Sequence, residues 1–256
     1  MSKRRLPTLH LAMFIVTFLT MLLAGAMLDG INPLTEPLKI FSGLPFALSL
    51  MCILLTHELS HYFSSRYHGV EATLPFFIPA PTIIGTFGAF IKMRSPIYSK
   101  RALVDIGASG PIAGFVVALI ASFIGLEMSE IVQLKEETEG LYLGSSILFQ
   151  FLSNITIGQV PEGHDVLLNP VAFAGWVGFL VTALNLIPVG QLDGGHVAYA
   201  LLGRKHRQFS MALVLVLFIM GIALWPGWLI WAILLIILGI DHPPILYEHI
   251  ALDGKR

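Results

Sequence analysis

Long apolar runs, separated by short polar breaks, set the rhythm of the chain. The first, Leu9 to Leu28, follows Lys3, Arg4 and Arg5. Within it, Ala24-Gly25-Ala26 has the small-x-small form of a signal-peptide cleavage site. The run is longer than the usual signal core of about 7–15 residues, so it is read as a retained helix. Residues 29–43 form a polar loop with Gly30, Pro33 and Pro37. Further apolar segments cover about 44–66, 102–126, 167–187, 209–224 and 228–240. Pro226-Gly227 turns the chain between the last two, with Trp225 and Trp228 as interfacial anchors. A spanning helix needs roughly 20 apolar residues. The expected fold is therefore an all-α polytopic membrane protein, a single domain over residues 1–256 with about six transmembrane helices.

The stretch 70–97 breaks this rhythm. It is apolar but interrupted by Pro75, Pro79, Pro81, Gly85 and Gly88. Its pieces, Thr73–Ile78 and Thr86–Met93, are too short to span as helices and read as β or extended. A re-entrant β-like hairpin between helices 2 and 3 is expected. Backbone of that kind survives at membrane depth only where protein or a wet cavity satisfies it.

Composition agrees with the pattern. Hydrophobic residues make up 55% of the chain, charged residues 12%, and the mean hydropathy is +0.80. Soluble domains carry about 25% charged residues. The net charge of −1 says nothing about nucleic acid, and with no basic patch in the sequence no nucleic-acid partner is expected. The single cysteine, Cys52, is read as packing; it excludes an internal disulfide and a cysteine-based zinc site. Charge placement gives a topology. With six spans, 13 of the 15 Lys and Arg fall on the side of both termini. The other side holds Lys39 and Lys135, and the acidic region 127–166. The positive-inside rule then puts both termini in the cytoplasm or its equivalent. Ile147–Leu152 is expected to lie along the interface.

Against that background Thr56-His57-Glu58-Leu59-Ser60-His61 stands out. Ionisable groups at membrane depth are costly and by default functional. His57 and His61 are one helical turn apart and share a face, which suits two ligands of one zinc ion. Glu58 is turned off that face and is the expected catalytic base. A catalytic zinc usually takes a third protein ligand and keeps one position open. Asp193 is the choice, flanked by Leu192 and by Gly194 and Gly195. The topology allows it. His57 is 13 residues into its helix, about 20 Å along, in the inner leaflet. Asp193 follows a helix running in the same direction and ends at the same leaflet. The chemistry is metal-assisted amide hydrolysis. Asn185 is a weaker candidate, either for a substrate carbonyl or for helix packing. Asp105 is read as structural, and His196 as an interfacial residue with a possible supporting role.

His57-Glu58-Leu59-Ser60-His61 together with Asn185-Leu186-Ile187-Pro188-Val189-Gly190-Gln191-Leu192-Asp193-Gly194-Gly195 resembles the two motifs of the site-2 protease family, the intramembrane zinc metalloproteases. Gly85-Thr86-Phe87-Gly88-Ala89-Phe90-Ile91 resembles that family's re-entrant strand region, and Gly110-Pro111-Ile112-Ala113-Gly114 its third-helix motif. The resemblance runs over about 44–200. It implies one zinc per chain on His57, His61 and Asp193, with Glu58 as base. It implies cleavage of transmembrane protein substrates in the bilayer, with 86–94 pairing with an unwound substrate by strand addition. Many members carry a PDZ or CBS domain, and neither is seen in this sequence. The expected host is a prokaryotic cell membrane, with a plastid membrane as the alternative. Two rival functions are a proteolytically silent chaperone or regulator of membrane proteins and a metal-ion transporter.

Overall fold

A computed structural model describes residues 7–133, 143–144, 146–247, 250 and 252. Lys3, Arg4, Arg5, Lys135, Glu136, Glu137, Glu139, Lys255 and Arg256, used above for topology and charge, lie outside the described residues. The chain is mostly helical. In order come α1 (Thr8–Leu28), a 3-10 turn (Pro37–Gly43), α2 (Leu44–Tyr67), β1 (Phe76–Pro79), β2 (Thr86–Phe90), α3 (Lys100–Glu127) and β3 (Glu130–Gln133). These are followed by α4 (Ile147–Thr156), β4 (His164–Leu167), α5 (Pro170–Asn185), α6 (Asp193–Leu202), α7 (His206–Ala223) and α8 (Gly227–Leu238). Among the described residues, four stretches are long and apolar enough to cross a membrane: Thr8–Leu28, Pro37–Tyr67, Lys100–Glu127 and Asp193–Ala223. Pro170–Asn185 and Gly227–Leu238 are apolar but shorter.

The chain forms two compact units. The first comprises Met1–Thr56, Pro75–Phe90 and Gly114–Val181. Its core gathers Met21, Phe46, Leu50, Phe77, Ala174 and Val177. β1 and β2 pair antiparallel, with Phe76 opposite Phe90 and Pro79 opposite Thr86, and the register slips between Phe77 and Pro79. Thr20 Oγ1 of α1 donates to the Gly85 carbonyl at 2.6 Å, which ties the connecting turn to that helix. The described residues of the region 127–166 form regular elements despite its polar character. β3 and β4 pair antiparallel there, and α4 buries Leu152 with Leu126 and Ala172. The Ser146 side chain caps α4 by accepting from the Phe149 N–H at 3.1 Å.

The second unit comprises His57–Leu74, Ile91–Ala113 and Thr182–Arg256. One core holds Val70, Leu103, Ile106, Tyr199, Ala200 and Ile245. Another holds Val189, Val214, Leu217 and Leu235. The extended segments Glu71–Thr73 and Lys92–Arg94 run side by side: Thr73 N donates to Lys92 O at 2.9 Å, and Arg94 N to Glu71 O at 2.6 Å. The outer helix faces are apolar: Leu19, Ile120, Phe123, Leu215, Ile222 and Ile237 are all exposed. In water such a surface drives association; in lipid it is the ordinary exterior of a spanning helix. Cys52 is exposed on α2 rather than packed, a correction explained by the same apolar exterior.

Candidate metal centre

The site is built on α2 and completed by α6. His57 and His61 are both buried, and their Nε2 atoms face each other at 3.1 Å. Asp193, the first residue of α6, brings Oδ2 to 3.1 Å from His57 Nε2 and Oδ1 to 3.2 Å from His61 Nε2. One ligand atom from each of the three lies within 4.8 Å of the others.

The tautomer of His61 is fixed from behind. Its Nδ1 is 2.7 Å from the Ile106 carbonyl, which can only accept, so Nδ1 carries the proton and Nε2 presents a lone pair to the centre. Donors about 2.0–2.2 Å from a tetrahedral zinc stand about 3.3–3.6 Å apart. The two imidazole nitrogens, 3.1 Å apart, are close to that spacing, and the carboxylate reaches each of them through a separate oxygen, at 3.1 and 3.2 Å. Two imidazole nitrogens and a carboxylate form a donor set that suits zinc. The residues fit the metal.

Close packing holds this arrangement. A Cβ on Gly110 of α3 would overlap the His61 ring. One on Gly107 would fall 2.8 Å from His196 Cβ and 3.0 Å from the Asp193 carbonyl oxygen. These glycines let α3 lie against both ligand-bearing helices. Gly195 passes close to the preceding turn: its Cβ would fall 2.7 Å from the Val189 carbonyl. A Cβ on Gly194 would overlap the Leu186 carbonyl oxygen, so both glycines after Asp193 serve close approach.

Glu58 is buried beside the two histidines. The Ile91 backbone faces its carboxyl. Asn185 ends α5, half-buried, in the same unit. Gly85, Thr86, Phe87 and Gly88 belong to the first unit. Thr86 is buried there and its hydroxyl donates to Ile78 O at 2.8 Å, while Phe87 is exposed. Asp105 pairs with His68 at 2.9 Å.

Behind Asp193, His196 is joined by two residues, Tyr199 and His242, that had no assigned role in the sequence. His196 Nδ1 meets His242 Nε2 at 2.7 Å, and the His242 ring stacks on Tyr199 at 4.3 Å. The one local signal was the spacing of His196 three residues after Asp193, which puts both on one side of a helix. Nothing local marks His242, 46 residues further on.

Residues 45–225 match the profile of Peptidase family M50. The chain is 34% identical over 164 residues to the probable zinc metalloprotease EGY2, chloroplastic, of Arabidopsis thaliana, covering 64% of this chain and 29% of that protein. To the EGY2 protein of Oryza sativa subsp. indica it is 30% identical over 195 residues, covering 75% of this chain and 36% of the relative. To the probable zinc metalloprotease EGY1, chloroplastic, of Oryza sativa subsp. japonica it is 34% identical, covering 64% and 29%. The matches thus span about a third of the length of these curated relatives. With the family profile covering most of the chain, and the paired motifs meeting in one buried centre, the chain belongs to peptidase family M50, the site-2 protease family.

Proposed function

We propose that the chain hydrolyses peptide bonds in or near the membrane-spanning segments of membrane proteins. One zinc ion is held by His57, His61 and Asp193. The observation that carries this reading is the meeting of three ligand side chains from two distant segments, each imidazole nitrogen 3.1–3.2 Å from a carboxylate oxygen of Asp193, with the buried Glu58 beside them. Zinc bound there would acidify a water and polarise the scissile carbonyl. Glu58 takes the proton from the attacking water and passes it to the leaving amine. Its place one residue after His57 turns its carboxyl off the ligand face, which leaves it free for proton transfer. Asn185, at the end of α5, is available to the substrate carbonyl or its backbone.

The peptide bond of a helix is shielded by its own hydrogen bonds, so the substrate must unwind before attack. The extended stretch 86–94 offers main-chain groups for strand addition. Its exposed Phe87 and the glycines Gly85 and Gly88 support that role. The β1–β2 pair is read as a re-entrant hairpin. Six spans put both termini on the cytoplasmic or equivalent side. The relatives carry "chloroplastic" in their names, which keeps a plastid membrane beside a prokaryotic one as host.

Zinc content of the purified protein tests the reading without any knowledge of the substrate. Near one zinc per wild-type chain is expected, with a clear loss in Asp193→Ala. A well-folded wild type without zinc would overturn it, as would a mutant that keeps the metal.

A further inference from the structure

The segment after α8 is anchored at several points against the elements that carry the candidate ligands. It lies beyond the 45–225 region matched by the family profile. Gly239 comes close to Gly190: a Cβ there, at φ +56, would overlap the Gly239 carbonyl oxygen. The Arg207 guanidinium pairs with Asp241 at 3.0 Å. Ile245 is buried with Ile106, Tyr199 and Ala200. Leu246 N donates to Ile97 O at 3.3 Å, and Tyr247 N to Tyr98 O at 2.9 Å. The segment is thus a strap that touches the turn before α6, α6 itself, and the residues leading into α3.

Its polar contact is specific. His242 Nδ1 lies 2.7 Å from the Pro243 carbonyl, which can only accept, so the proton is on Nδ1. Nε2 of His242 is then a lone pair, and it receives the Nδ1–H of His196 at 2.7 Å. The Tyr199 ring stacks on His242 with the planes 21° apart, which fixes the ring's orientation. His196 is one turn after Asp193, and on its other side Gly107 of α3 leaves no spare room. The first turn of α6 is gripped between α3 and the strap.

From this we infer that His242 is a positioning residue for the metal centre: through His196 it fixes the first turn of α6, and so the carboxylate of Asp193. The inference rests on the proposed zinc site. Partners behind a metal ligand commonly change affinity by about 10–100-fold when removed.

The test compares zinc affinity of the full chain in detergent, by competition with a chromophoric chelator, for wild type, His242→Leu and His242→Gln. Leu keeps bulk and apolar packing but offers no acceptor. Gln offers an amide oxygen to the His196 N–H. Affinity in His242→Leu should fall by about 10-fold or more, with the cobalt(II) absorption band altered. His242→Gln should recover most of the affinity. Wild-type affinity with an unchanged cobalt spectrum in His242→Leu would overturn the inference. Equal loss in both variants would overturn it too, since packing alone would then explain the effect. A wild type that binds no zinc would instead defeat the underlying reading of the site.

Discussion

Glu58 and Gly110 allow the sharpest tests of individual residues. Glu58 is adjacent to the ligands but off their face, so Glu58→Gln should keep near one zinc per chain. Cleavage should fall by about 10²–10⁴-fold, the usual worth of a general base. Zinc content and cleavage of a transmembrane peptide in the same preparation check both halves; full cleavage by the mutant would defeat the assigned role. Gly110 tests the packing. Its missing side chain makes room for the His61 ring, so Gly110→Ala should displace that ring and lower zinc content. The overpacking should cost about 1–3 kcal/mol, read from the thermal midpoint of the metal-free protein. Unchanged zinc and midpoint would mean that the two helices part without penalty. The residues tested here differ in how visible they were. His57, Glu58 and His61 sit on one helix, where spacing alone sets the face. Asp193 needed the second motif and a topology argument. Gly110 stood out only within the stretch that resembles the family's third-helix motif, and its contact with His61 could not be read before α3 was laid against α2.

The same limit appears among the elements. α1, α2 and α3 follow their apolar runs to within two residues, because length and hydropathy decide a spanning helix. α6 was not read as a helix. It opens Asp-Gly-Gly, which has poor helix propensity, and it is held by packing on Gly107 and the strap. α4 was read only as an interfacial stretch, and β3 and β4 hid among acidic residues. The strap makes an element-level prediction. Burial, with His196 beside it, pushes the His242 imidazole down to about 3. The facing groups are His196 and Tyr199 of α6 and His206 of α7, with Asp241 next in sequence. The folded state therefore holds His242 neutral, while the unfolded chain takes up a proton near pH 6.5. The unfolded state binds more protons between about pH 3 and 6.5, so this contribution is complete above that window and is lost as pH falls through it. The thermal midpoint of metal-free protein should drop between pH 7 and 5. The drop should be smaller in His242→Gln, which has no proton to gain there. Equal slopes would show that His242 does not sense this range.

For the whole molecule, the question is how many times the chain crosses the bilayer. α5 has 16 residues and α8 has 12, about 24 and 18 Å of helix, less than the roughly 30 Å hydrocarbon core. Length alone would allow a four-span chain. The metal centre argues otherwise. In the proposed topology α3 carries the chain away from the leaflet that holds His57 and His61. Asp193 nonetheless meets both histidines at 3.1–3.2 Å. The proposed six-span topology therefore has the chain return across the membrane between residues 128 and 192. In that interval the described helices are the 10-residue α4 and the apolar α5. α5 is the only one of the two suited to cross, with its flanks and local thinning of the bilayer making up the length. Labelling with a membrane-impermeant maleimide tests this in a Cys52→Ser background. Glu162→Cys and Pro226→Cys should label from one side, and Lys205→Cys only from the other. If Glu162→Cys and Lys205→Cys label from the same side, α5 does not cross, and Asp193 then cannot share a leaflet with His57 in the membrane-embedded protein.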